Sequence, residues 1–280
     1  MFPPSKYFEH FPPYDSKSRW TQEQMLISEL LSVKGFAQQA DSGGSTLPEY
    51  TADGCAEISR WLNDDARKDA IRESTSLNHG ELRWPPRVLE SLFALAQHYG
   101  IPTRLLDWSR SPLIAAYFCI EGFISGKQIP NESTPRVGVW ALNCNAVEVK
   151  GITDPLIAEG GSEKSLALRT VAVPTGENPN LEAQQGVFLV RRLLGFREDA
   201  LVDLKPFEDS FQSLRSPGYE EFNASPIYRI TLPALEAPRL LRLLSHVGVS
   251  AARLYPGYEG ARRGYDELVW LDMVDSWKPR

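Results

Sequence analysis

Few of the groups that usually announce a catalytic or metal site are present. The 280 residues include 3 cysteines and 4 histidines. Cys55, Cys119 and Cys144 are odd in number and widely spaced, which excludes a disulfide framework and a zinc-ligand pattern. None of His10, His79, His98 and His246 has a second ligand at metal spacing, so no metal site is expected. Basic charge is not in excess: 30 Lys and Arg stand against 36 Asp and Glu, a formal net charge of −6. General nucleic-acid binding needs a basic face, and composition does not supply one. No apolar run is long enough to cross a bilayer, so no membrane partner is expected. The N-terminus, MFPPSKYFEHFPPYD, lacks the basic start and continuous apolar centre of a secretory signal, and cytoplasmic residence is the default. Phosphate-loop, dinucleotide-fingerprint, H-E-x-x-H and G-x-S-x-G motifs are all absent.

What is present is the material of an ordinary globular protein. The hydrophobic fraction is 42% and the charged fraction 24%, enough for one large domain or two small ones. Pro3, Pro4, Pro12 and Pro13 make residues 1–20 extended. Thr21 and Gln24 form a capping-box pair before Met25, Leu26, Leu30 and Leu31, with Gly35 at the expected helix end. Residues 41–55 read as a polar loop. Residues 56–76 read as surface helix with Ile58, Trp61 and Leu62 inward, and with Asp64, Asp65, Arg67, Lys68 and Asp69 on the solvated side. Val88–Ala96 has helical periodicity ended by Gly100 and Pro102. Residues 103–108 read as a short extended segment. Pro112 opens a second helix that is apolar nearly all round, so deep burial is expected.

Further on, VGVWALN (137–143), GVFLV (186–190) and IYRITL (227–232) are strands, with a fourth at Thr170–Val173. A leucine-rich helix follows Pro233, and a final helix runs from Ala261 to Met273. This order predicts an α+β fold, with a mixed, largely antiparallel central sheet packed by helices on both sides.

Two segments concentrate polar chemistry. Between the apolar helices stand Gln97, His98, Tyr99, Thr103, Arg104, Asp107, Trp108 and Ser109. His98 is of the side-chain type able to exchange a proton near neutral pH, and Arg104 can hold a phosphate or carboxylate in a fork. Tyr99 and Trp108 can stack on a planar ring. An Arg104–Asp107 ion pair that merely pins the loop is the competing account. In EAQQGVFLV (182–190), Gln184 or Gln185 could bond a ligand amide or ribose, and Gly186 would admit that ligand to the backbone. Satisfying loose backbone groups at a sheet end is the alternative there.

The run QHYGIPTRLLDWSRSPLIAAYF (97–118) resembles the central signature of the FRG domain, a family of bacteria, phages and some fungi. Ala183–Phe188 resembles its A-Q-x-G-x-F element, and Leu254–Gly260 its closing L-F/Y-P-x-x-x-G. The resemblance implies a single FRG-like domain over 1–280, its body at 21–280. The F/Y-R-G tripeptide of the family's name is absent. Pro4-Ser5 fits the element that follows it, so one expectation is a start further upstream.

The motif order also resembles that of ADP-ribosyltransferase folds. On that analogy NAD is the substrate, residues 104–109 form the middle motif, and Gln184–Gly186 form the late motif that faces the developing ribosyl cation. The implied catalytic set is Gln184, Gln185 and His98. Tyr99, Thr103, Arg104, Asp107 and Ser109 are the ligand-binding set. Two readings stay open. One is a nucleotide or NAD site, NAD-cleaving or ADP-ribosyl-transferring in a toxin or phage-defence setting. The other is a non-catalytic ligand-sensing or protein-interaction domain, or a truncated inactive relative.

Overall fold

A computed structural model describes residues 20–78, 80–131, 133–142, 168–171, 173–174, 178–191, 193–200 and 227–277. All but the last residue of the expected extended segment at 1–20, together with His79, Cys144 and most of the loop at 151–180, lie outside these residues. The chain is mixed helix and strand. It divides into two compact units: unit 1 contains 1–106, 144–174 and 188–224, and unit 2 contains 107–143, 175–187 and 225–280.

Unit 1 begins with α1 (Gln22–Ser42). Its N-terminus carries the predicted capping box: Thr21 Oγ1 accepts from the Gln24 backbone N–H, and Gln24 Oε1 accepts from that of Thr21. Such a cap is worth about 1 kcal/mol. Gly35 does not end the helix. The buried stripe Leu26, Leu30, Val33 and Ala37 continues past it, and Gly43 and Gly44 (φ +72°) form the actual end. Tertiary packing of an apolar face outweighs the roughly 1 kcal/mol penalty of an internal glycine.

Helices α2 (Ala52–Leu62) and α3 (Asp64–Leu77) follow, capped by Thr51 and Asn63. Ile58 and Trp61 face inward as expected. Arg67 does not belong to a solvated face. It is buried, donating to Glu23, Asp64 and the Trp61 carbonyl at 2.8, 2.7 and 3.2 Å.

Strand β1 (Glu81–Leu82) pairs antiparallel with β6 (Leu193–Leu194). A 3-10 turn, Arg87–Leu89, leads into α4 (Glu90–His98), which Gly100 (φ +80°) ends. Glu49 sits over the α4 N-terminus and accepts from the backbone N–H groups of Ser91 and Leu92. Strand β4 (Leu168–Val171) pairs antiparallel with Phe188–Arg191, where β5 (Gly186–Arg191) lies in unit 1. Phe188, Leu189 and Val190 are all buried, as their two-sided apolarity predicts.

Unit 2 holds most of β2 (Leu106–Ser109), then α5 (Pro112–Ser125) with Ser111 as its cap. Only one stripe of α5, Ile114, Tyr117, Ile120 and Ile124, is fully buried, and Leu113 is 45% exposed. Strand β3 (Val137–Leu142) pairs in register with β7 (Ile227–Leu232), from Val137↔Leu232 to Leu142↔Ile227. The one central sheet therefore resolves, among the described residues, into small antiparallel sheets, with β3–β7 separate from the sheet of β5. Nor are all strands covered on both sides: Tyr228 and Ile230 of β7 are exposed.

The core of unit 2 packs α5 against α7 (Ala237–His246), α8 (Ala251–Leu254) and Trp270 of α9 (Tyr258–Ser276). Between β4 and β5 lies the short helix α6 (Pro179–Ala183), capped by Asn178.

Candidate functional site

In unit 1 Arg104 is held by a buried acid of α1, Glu29. Glu29 is 2% exposed and sits three residues after Leu26, inside the apolar stripe. Its carboxylate accepts from the Trp84 indole N–H at 2.8 Å, and from the Arg104 backbone N–H and Nε at 2.6 and 2.7 Å. A buried carboxylate is tolerated when paired and hydrogen-bonded, and these three donors meet that condition. The Arg104 guanidinium carbon also lies 5.9 Å from the Trp84 ring centroid. Trp84 in turn meets Trp61 and Phe93 edge-on. Arg104 is thus fixed from three sides, with Glu29 as its carboxylate. The Nη pair has no protein partner among the described residues.

Thr103 is fully buried. Its hydroxyl donates to Gln97 Oε1 at 2.9 Å and accepts from the Leu105 N–H. His98 is half-buried and meets the Tyr99 ring edge-on at 5.3 Å. Tyr99 is 63% exposed and stacks on Phe36.

In unit 2, Ser109 and Arg110 meet Gln184 and Gln185, and Gln184 meets Leu254. Ser109 Oγ donates to the Gln184 carbonyl at 2.8 Å, and the Arg110 N–H donates to the Gln185 carbonyl at 3.0 Å. Gln184 Nε2 donates to the Leu254 carbonyl at 3.2 Å. The central run, the A-Q-x-G element and the closing turn are therefore joined by hydrogen bonds. Gln185 is exposed, with a left-handed φ of +47°. Such a conformation is uncommon for a residue with a side chain and marks a tight connection. Asp107 is exposed on β2. Gly186 does not open the backbone to a ligand: a Cβ there would lie 2.2 Å from Leu181 Cδ1, so Leu181 fills the space.

Beside this junction lies a network that sequence reading missed. The Tyr255 hydroxyl donates to Glu121, which also accepts from Arg263 Nη1 at 2.8 Å. The Arg263 guanidinium lies 4.1 Å from the Tyr255 ring centroid. Deeper in, Glu267 accepts from the Ala251 N–H at 2.7 Å and from Tyr117. Burial raises the Glu267 pKa, partly offset by these two bonds. Burial first, then Glu267, pushes the Tyr117 phenol far above its usual range; burial and then Glu121 do the same for Tyr255. Both tyrosines stay protonated donors. Burial likewise raises the Cys119 thiol, which keeps it from acting as a thiolate nucleophile. The one sequence cue for these acids was their position: Glu29 and Glu267 interrupt otherwise buried helix faces.

Among the described residues no group of three His, Cys, Asp or Glu is placed to hold a metal ion, and no helix is long and apolar enough to cross a membrane. Residues 48–127 match the FRG domain family. The match includes α2 to α5 and the whole run 97–118. Neither the curated proteins nor the solved structures contain a match to this chain.

Proposed function

We propose that this chain, which carries an FRG domain over residues 48–127, is a binding domain for an anionic, nucleotide-type small molecule, held through Arg104 and not cleaved. The observation that carries this reading is the way Arg104 is held. Glu29 takes Nε and the backbone N–H, Trp84 lies against the guanidinium, and the terminal Nη pair is left as a fork for phosphate or carboxylate. Tyr99, exposed beside His98, offers an aromatic face in the same unit.

The competing reading is NAD cleavage or ADP-ribosyl transfer on an ADP-ribosyltransferase-like fold, in a toxin or phage-defence setting. It casts Gln184 and Gln185 as the late catalytic motif and Ser109 as part of the middle one. Against it, the Gln184 amide and the Ser109 hydroxyl are both spent on backbone carbonyls. No glutamate stands at Gly186, where a carboxylate would stabilise an oxocarbenium ion.

Calorimetric titration with NAD, ADP-ribose and ATP, alongside an assay for released nicotinamide, separates the two. Binding without nicotinamide release is expected. Arg104→Lys, which keeps the charge beside Glu29 but loses the fork, should weaken binding about tenfold, roughly 1.4 kcal/mol. Nicotinamide release would overturn the non-cleaving reading. Failure of all three nucleotides to bind would overturn the ligand and leave a protein-interaction role.

A further inference from the structure

Helix α1 sets two features of unit 1 at a fixed spacing. Glu29 and Phe36 stand seven residues apart on it, so they share one side of the helix to within about 20°. About two turns separate them, a rise of about 10.5 Å at 1.5 Å per residue. Glu29 holds Arg104 through Nε and the backbone N–H. Phe36 carries Tyr99, with ring centroids 6.0 Å apart and ring planes inclined by 26°. Arg104 and Tyr99 are thus held about 10 Å apart along α1. The five-residue step from Tyr99 to Arg104 reaches at most about 18 Å, so the loop covers this gap.

The two positions offer different chemistry. Tyr99 stacks on Phe36 yet is 63% exposed, which leaves aromatic surface for a planar ring. Arg104 offers its Nη fork, and its side chain is 11% exposed. Glu29 already balances the charge of Arg104, so an anion gains little from attraction at a distance. It gains from direct hydrogen bonds to the fork, and only if it reaches the fork. A ligand that occupies both positions at once is therefore selected by its length. In a nucleoside monophosphate the charge lies one ribose from the base, short of this span. The outer phosphate of a di- or triphosphate lies further along the same axis.

We propose that the ligand is a nucleoside di- or triphosphate, with its base stacked on Tyr99 and its outer phosphate in the Arg104 fork. This rests on Arg104 being the anion-binding residue of the domain, and adds where the base sits and how long the ligand is.

Calorimetric titration of the full chain with AMP, ADP, ATP and inorganic tripolyphosphate, without added metal, is the test. ADP or ATP should bind at least about tenfold more tightly than AMP. Tyr99→Ala should weaken ATP binding at least about fivefold and leave tripolyphosphate binding unchanged, which also shows that the variant is folded. Tyr99→Phe, which keeps the ring, should bind ATP as the parent chain does. Arg104→Lys should weaken ATP and tripolyphosphate alike. AMP binding as tightly as ATP, or ATP binding indifferent to Tyr99→Ala, overturns the two-point ligand; if Arg104→Lys still weakens ATP, the anion site itself stands. If neither the nucleotides nor tripolyphosphate bind, the two readings fall together.

Discussion

Glu29 and Glu267 are both buried carboxylates on helix faces, and the fold satisfies them differently. Glu29 has a cation: Arg104 bonds it through Nε and the backbone N–H. Removing Arg104 altogether would leave that charge unpaired, at a cost of about 3–5 kcal/mol. Any role for Arg104 is therefore better tested with lysine than with alanine. Among the described residues Glu267 accepts from the Ala251 N–H and the Tyr117 hydroxyl, and burial raises its pKa from the ordinary glutamate value. Between the usual value and the raised one, the folded chain holds a proton that the unfolded chain has released. The contribution of Glu267 to stability is therefore full below that window and is lost as pH rises through it. Glu267→Gln keeps an acceptor for both donors and cannot ionise. Urea denaturation between pH 4 and pH 8 should show a shallower loss of stability for this variant than for the parent chain. An identical pH slope would remove Glu267 as the source.

At the scale of elements, the closing motif is a packing device. A Cβ at Gly260 would lie 1.9 Å from the Tyr255 carbonyl oxygen and 3.1 Å from that of Ala251. Both are backbone atoms, which cannot swing aside. Gly260→Ala should therefore separate α8 from α9 and cost about 1–3 kcal/mol or more. Gly264, one turn later, would meet Ala252 Cβ at 3.5 Å, an ordinary contact. Gly264→Ala should be neutral or should stabilise by up to about 1 kcal/mol through helix propensity. Equal losses at the two glycines in equilibrium denaturation would contradict this account. Short-range signals were the legible ones here. Thr21–Gln24, Pro112 and Gly100 mark helix ends through contacts within four residues. The end of α1 was not legible, because Val33 and Ala37 are held by packing that no local rule contains.

For the whole molecule, composition sets the broad electrostatics. With a formal net charge of −6, the chain should not retard a random-sequence DNA duplex at 0.15 M salt. Salt-sensitive retardation in a gel-shift assay would reveal a basic face that the composition does not suggest. The α+β class was legible from the alternation of helical and strand periods. The grouping of strands was not: β3 and β7 lie 85 residues apart between their first and last partners, Leu142 and Ile227, and pairing over such a distance leaves no local trace.

The family signature was likewise visible as a string, while the partners of its residues were not. The sequence by itself determined the starts of α1 and α5, the two-sided apolarity of Phe188–Val190, and the run 97–118 that carries the resemblance. These depend on neighbours within one or two turns, whose geometry the backbone dictates. Only the tertiary structure decided that Arg104 answers to Glu29 and Ser109 to Gln184. Each pair is separated by 75 residues, and what joins them is the need of buried polar groups for partners.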